Sequence, residues 1–167
     1  MGETSKTVIR PAVAADAPLV LSLIHALAEY EREPDAVKIT LDDLLRDAFG
    51  PQPILHILLA ESDGQPAGFV LYFFNYSTWA GRPGLYIEDL FLFPAFRGRG
   101  LGRALFAHLA AVALGRGCSR LQWQVLDWNQ PAIDFYQHLG AEFLDSWRTM
   151  RILEDGLQSL ASEATQA

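Results

Sequence analysis

The stretch from Leu85 to Gly102, LYIEDLFLFPAFRGRGLG, constrains the chain more than any other. Tyr86, Ile87, Leu90, Phe91, Leu92 and Phe93 are the aromatic and branched residues that a buried or half-buried strand prefers. Pro94 has no N–H to give a ladder, so the strand is expected to stop there. Arg97-Gly98-Arg99-Gly100-Leu101-Gly102 follows, and a helical pattern starts at once. A strand, a glycine-rich turn and a helix N-terminus together make an anion site. Glycine lets the backbone approach closely, the N–H groups of the first turn have no intrahelical partner, and the helix dipole is positive there. Arg97, Arg99 and Arg103 add positive charge. The expected guest is a pyrophosphate.

The remaining composition narrows the class. A chain of 167 residues, half of them hydrophobic, can build one domain with a core. A net charge of −7 argues against nucleic acid on a basic face and suits a cationic ligand. No apolar run is long enough to span a bilayer, so no membrane partner is expected. MGETSKTVIRP carries no signal-peptide apolar segment, and Ser5 lies one place short of the myristoylation pattern. The single cysteine, Cys118, excludes an internal disulfide framework and fits a reducing compartment, so the expected location is the cytoplasm. His25, His56, His108 and His138 are scattered, with no pair at a ligand spacing, and no metal is expected.

In chain order, Val8-Ile9-Arg10 reads as a first strand. Asp16 and Pro18 open a helix whose Val20, Leu23, Ile24 and Leu27 share a face to about Tyr30. Thr40 and Asp43 form a capping box for a second helix, with Leu41, Leu44, Leu45 and Ala48 apolar and Gly50 past its end. Ile54 to Ala60 and Gly68 to Tyr76 read as strands joined by the turn Ser62-Asp63-Gly64-Gln65. A polar loop from Ser77 to Gly84 holds Trp79. Beyond the glycine turn, Leu101, Leu105, Leu109 and Val112 form a helix face that Gly115 or Gly117 closes. A strand from Leu121 to Leu126 and a helix capped by Asn129 follow, with Pro131 in its first turn and Gly140 past its end. Phe143 and Trp147 to Ile152 suggest terminal strands, with a weak helical turn and frayed residues after Asp155.

Two acidic features stand out. Glu88 and Asp89 are adjacent in an apolar strand and are expected to point to opposite faces. Such a pair is costly unless it serves something. At Glu88 the residues alone leave two readings, a carboxylate satisfied at a strand end and an acid kept for chemistry. Glu29, Glu31, Glu33 and Asp35 crowd a helix C-terminus, where acids are unfavourable; they form either a solvated turn or a negative rim for an ammonium group. Trp123 alternates inside a strand and reads as core. Tyr136 reads as a core aromatic with its hydroxyl at a wet edge, and Cys118 as a small buried apolar residue.

The chain resembles the GNAT superfamily of acetyl-CoA-dependent N-acetyltransferases. Arg97-Gly98-Arg99-Gly100-Leu101-Gly102 matches its Q/R-x-x-G-x-G/A signature. IRPAVAAD (Ile9 to Asp16), LAEYE (Leu27 to Glu31), LYIEDLF (Leu85 to Phe91), VLDWNQPAIDFY (Val125 to Tyr136) and Trp147-Arg148 resemble the diamine (spermidine/spermine) and thialysine acetyltransferases. Tyr76-Ser77-Thr78-Trp79 matches the thialysine branch; the polyamine branch has Tyr-Asp-Pro-Trp, whose aspartate faces the polyamine. Arg82-Pro83-Gly84 departs from the family by about one residue in length.

The resemblance implies an α/β (mixed α+β) fold, a single GNAT-type domain over residues 1–167 with a core of about 7–153. Its mixed, mostly antiparallel twisted sheet would have about six or seven strands flanked by about four helices. It implies acetyl-CoA as co-substrate, no metal, a small cationic amine as acceptor and a homodimer. Glu88 would bind the amine and take its proton through water, and Tyr136 would be the general acid for the leaving thiolate. Cofactor contacts would come from the backbone of Leu90, Phe91 and Leu92, from Arg97, Gly98, Arg99, Gly100, Leu101, Gly102 and Arg103, and from Asn129, Pro131, Ala132 and Tyr136. Acceptor contacts would come from Tyr30, Glu31, Ser77, Thr78, Trp79, Glu88, Asp89, Trp128 and Trp147. A protein lysine or N-terminus as acceptor, and an acetyl-CoA-binding sensor without turnover, are the rival readings.

Overall fold

Asp63 (φ 51°) and Gly64 (φ 75°) both take the left-handed conformation, the geometry that closes a tight antiparallel hairpin. The computed structural model, which describes residues 6–164, accordingly pairs β2 (His56–Ser62) antiparallel with β3 (Gln65–Ser77). β1 (Thr7–Pro11) lies antiparallel beside β2, and β4 (Arg82–Leu92) antiparallel beside β3. β5 (Leu121–Gln122) joins β4 in parallel, so the sheet runs β1-β2-β3-β4-β5. The readings of the first eleven residues and of the last few reach beyond the described range.

The sheet is mixed and mostly antiparallel, as expected, but it has five strands among the described residues. The strand expected over Leu121 to Leu126 pairs through two residues only. Phe143 and Trp147 to Ile152 are irregular, with Trp147, Met150 and Ile152 all exposed. Their β propensity finds no neighbouring ladder among the described residues, and a lone apolar stretch is not a strand without one.

The five α-helices among the described residues are α1 (Ala17–Tyr30), α2 (Leu41–Phe49), α3 (Leu101–Gly115), α4 (Gln130–His138) and α5 (Glu154–Ser162). Thr40 caps α2 as expected: its Oγ1 accepts from the Asp43 N–H at 3.2 Å, and the Asp43 carboxylate accepts from the Thr40 N–H at 2.9 Å. Asp16 stands at the cap of α1 but gives it no side-chain bond. Its carboxylate accepts from Arg10 at 2.7 and 3.0 Å and from the Val13 N–H at 2.8 Å. Arg10 also donates to Glu61 at 2.8 Å, so one guanidinium ties β1, β2 and the start of α1. The same bonds hold the Asp16 carboxyl below the usual carboxylate range.

The chain divides into two units, residues 1–126 and 127–167. In the first, alternate residues of the sheet build two apolar faces. Ile57, Leu59, Phe69, Leu71 and Phe91 pack with Val20, Leu23, Leu27 and Leu44 of α1 and α2. Leu58, Ala60 and Val70 turn to the other face, the side of α3, whose Leu101, Leu105 and Leu109 are fully buried. Truncating one such leucine typically costs about 2–5 kcal/mol, so the sheet is a stiff platform. The second unit carries α4 and α5. Ile133 and Asn129 are buried in it, while Phe143, Trp147, Met150, Leu153, Leu157 and Leu160 are exposed.

Candidate active site

The ladder between β3 and β4 runs regularly from Gly68↔Leu92 to Leu71↔Asp89, then resumes at Tyr72↔Ile87. Glu88 is therefore one residue too many, a bulge on β4. The bulge breaks the strict alternation on which the expectation of opposite faces for Glu88 and Asp89 rests. Asp89 shares the face of Leu71 and Phe91, on the α1 side, and Ile87 shares the face of Tyr72. Glu88 falls where the alternation resets, and its charge acts on both Asp89 and Tyr86, which lie on the α1 side.

The C-terminal end of α1 brings Glu31 to the same place. Burial, then the charges of Glu88 and Glu31, push the Asp89 carboxyl up to about 6. Burial alone raises Glu31. Burial, with the Glu88 charge behind it, raises the Tyr86 hydroxyl. The Asp89 carboxylate accepts no hydrogen bond among the described residues. A cation placed here would repay part of what these carboxylates lose by burial and mutual repulsion.

The electrostatic cost is measurable without a ligand. The Asp89 pKa is raised above its unfolded value, so its ionised form destabilises the fold above about pH 6, and that cost fades as pH falls towards 4. Asp89→Asn is expected to stabilise the protein at pH 8 by about 2 kcal/mol and to give no gain near pH 4. Urea unfolding at the two pH values checks this; a loss of stability at pH 8 would mean that the carboxylate has a favourable partner instead.

Beside the carboxylates the sheet is open. Among the described residues β5 pairs with β4 at Leu85↔Leu121 and Tyr86↔Gln122, and β4 has no strand partner on that side from Ile87 to Leu92. The Phe93 N–H donates to Ala67 O at 2.9 Å, towards β3. Backbone direction alternates along a strand, so the groups of Phe91 also face β3, and those of Leu90 and Leu92 face the open edge. Of the three residues expected to offer backbone to the cofactor, Leu90 and Leu92 are so placed. Phe91 is spent on the ladder and the core. An extended amide-bearing chain can add to such an edge as a strand would.

The glycine turn completes this side. Gly98 (φ 73°) and Gly100 (φ 82°) both need the left-handed conformation, and Gly100 is the residue before α3. No acid stands in the first turn of α3, whose leading N–H groups and dipole suit a diphosphate. Arg99 and Arg103 are exposed there, Arg99 near the ring of Phe96 at 5.7 Å. The Arg97 side chain turns back onto the protein. Its Nε donates to Leu92 O at 2.9 Å, and its guanidinium lies 4.6 Å from the centroid of the Tyr30 ring. Tyr30, a half-buried residue, also meets Phe91 at 6.3 Å between centroids.

The structure does not bring every expected acceptor residue to Glu88. Ser77, Thr78 and Trp79 lie at the tip of the β3–β4 hairpin, where Ser77 pairs with Arg82. Six residues of strand separate Arg82 from Glu88, about 20 Å. Trp79 is 89% exposed at that tip. Trp123, expected in the core, is half-buried and edge-on to Phe106 at 5.1 Å. Tyr86, whose hydroxyl feels the Glu88 charge, is counted in the sequence reading only as a strand former; its period-2 spacing to Glu88 is the signal that finds it.

The remaining candidates belong to the second unit. Asn129 is buried at the cap of α4, although its side chain makes no cap bond, and Pro131 and Ala132 follow in the first turn. Tyr136 is half-buried two residues before the end of α4, with Phe135 beside it at 5.5 Å. Trp128 and Trp147 are exposed.

Comparison with known proteins accords with this geometry. The sequence profile of the Acetyltransferase (GNAT) family matches residues 20–141. A thialysine N-epsilon-acetyltransferase of Bos taurus is 42% identical over 166 residues, covering 93% of this chain and 97% of that protein. The thialysine N-epsilon-acetyltransferase of Sus scrofa is 39% identical over 170 residues, covering 95% and 99%. Among solved structures, an integron cassette protein from V. cholerae superposes with a TM-score of 0.78 at 24% identity, covering 97% of this chain and 100% of that one, a likeness of fold. With the bulged acidic strand, the open sheet edge and the glycine turn all in place, the chain is an acyltransferase and belongs to the GNAT acetyltransferase family.

Proposed function

We propose that the chain transfers acetyl from acetyl-CoA to a primary amine of a small cationic acceptor, with thialysine the leading candidate. The observation that carries this is the meeting of Glu31, Glu88 and Asp89 beside the unpaired edge of β4. The names of the bovine and porcine relatives support the choice of acceptor.

Acetyl-CoA supplies the acetyl group as an activated thioester when bound. Gly98 to Arg103 would hold its diphosphate, and the Leu90 and Leu92 backbone its amide-bearing arm. An alkylammonium has a pKa of about 10.4, so the acceptor arrives charged and cannot attack until it loses a proton. The three carboxylates bind the cation, and Glu88, the exposed one, takes that proton through water. The Tyr136 hydroxyl returns a proton to the departing thiolate. Attack is direct, in a ternary complex. Cys118, the single cysteine, is buried beyond the far end of α3, about 22 Å of helix away from the glycine turn, and does not carry the acyl group.

The working form is a cytoplasmic homodimer in this reading. The hairpin tip with Trp79 is too far along β4 to serve its own Glu88, and a second copy could supply it; sedimentation at assay concentrations tests the association. The function itself is tested by coenzyme A release across thialysine, lysine, putrescine, spermidine and spermine. Thialysine is expected to give the highest kcat/KM. A higher value for spermidine would move the acceptor to the polyamines, and no release with any amine would sink the reading.

A further inference from the structure

The guanidinium of Arg97 joins three parts of the site that have different tasks. Arg97 opens the glycine turn. Its Nε–H bonds Leu92 O, one of the backbone groups on the open edge of β4. Its charge lies over the ring of Tyr30, with the Phe91 ring further off at 5.9 Å. Tyr30 is the last residue of α1, and the next residue is Glu31, whose carboxylate acts on Asp89. The chain then turns sharply, with Arg32 at φ 67° and the Glu33 N–H donating to Ala28 O at 2.9 Å. The acidic end of the acceptor side is therefore held to the glycine turn through one side chain.

We propose that Arg97 is a positioning residue that couples the two substrates, and that its side chain acts as a strut between the glycine turn and Tyr30, not as a ligand of the diphosphate. The inference rests on the proposed function. Arginine suits the task because its planar fork can donate at Nε while its face lies on an aromatic ring. An anion at the glycine turn fixes the backbone of Gly98 to Gly100, and with it the root of Arg97. A fixed Arg97 holds Tyr30, and Tyr30 sets where Glu31 stands. The coupling is reciprocal, so whatever loosens Tyr30 must also weaken binding at the glycine turn, by the same factor.

A double-mutant cycle reads this directly. Acetyl-CoA dissociation constants are measured by calorimetry for the wild type, Arg97→Ala, Tyr30→Leu and the double variant. Tyr30→Leu is expected to weaken acetyl-CoA binding by about threefold in the wild-type background and to do nothing once Arg97 is gone, the size a solvent-exposed cation–π pair supplies. Tyr30→Phe, which keeps the ring, should hold acetyl-CoA more tightly than Tyr30→Leu, and Arg97→Lys should retain part of the coupling. Additive effects, or a Tyr30→Leu variant with wild-type acetyl-CoA affinity, would overturn the strut.

A second measurement avoids any substitution in α1. Arg97→Gln, at an exposed position, removes the charge and keeps a donor for Leu92 O. At saturating acetyl-CoA it is expected to raise the acceptor KM about threefold with kcat unchanged. An unchanged acceptor KM would overturn the proposal. Wild-type protein that bound no acetyl-CoA would instead remove the reading of the site, and the strut with it.

Discussion

Glu88→Gln is expected to lower kcat/KM for the amine at pH 7 by about 100-fold, the scale of a lost general base, with the fold intact. Glutamine keeps the shape and the hydrogen-bonding reach of the side chain, and the position is exposed, so little else should change. The pH profile carries the second half of the result. In the parent protein the Glu88 charge helps raise Asp89 to about 6. Without that charge Asp89 ionises at lower pH, and any acidic limb that remains should move down with it. Steady-state rates from pH 5 to 9 check both. A profile with the same height and the same limbs would take Glu88 out of the mechanism and leave Asp89 as the carboxylate to test.

Tyr136→Phe is the companion result. The ring stays, so its packing beside Phe135 on α4 is preserved, and only the hydroxyl is lost. Turnover is expected to fall by about 100-fold while acetyl-CoA binds with its usual affinity. That split separates an acid from a binding residue, because a lost binding contact would appear in the dissociation constant first. Single-turnover rates and calorimetry on the same preparation measure the two quantities. Unchanged turnover across the pH range would mean that water protonates the thiolate unaided.

Much of the fold was legible because its signals are local. The left-handed pair Asp63 and Gly64, the Thr40–Asp43 box and the Leu101, Leu105, Leu109 stripe each act within a few residues, and each stands where the pattern puts it. What failed depends on partners distant in sequence. Asp16 occupies the cap position, but Arg10 outcompetes the helix for its carboxylate. The segment from Phe143 to Ile152 has strand composition and no ladder to join among the described residues. For the site, the glycine turn before α3 could be read from residue types, whereas at Glu88 the residues alone left two readings. The reset between Ile87 and Asp89 could not be read that way, since strict alternation puts residues two apart on one face and only the pairing of β4 with β3 shows the bulge. The role of the Arg97 side chain was hidden for the same reason, because Tyr30 lies far from it in the chain.

The bulge makes the acidic site a matter of counting. Between its pairings with Leu71 and Tyr72, β4 has one residue more than β3 requires. Deleting a single residue there would give the sheet a continuous ladder and restore ordinary alternation through this part of β4. The strand would lose nothing as a strand. The acidic cluster depends on strand length at this point, since the one residue that β3 does not match is itself an acid, Glu88.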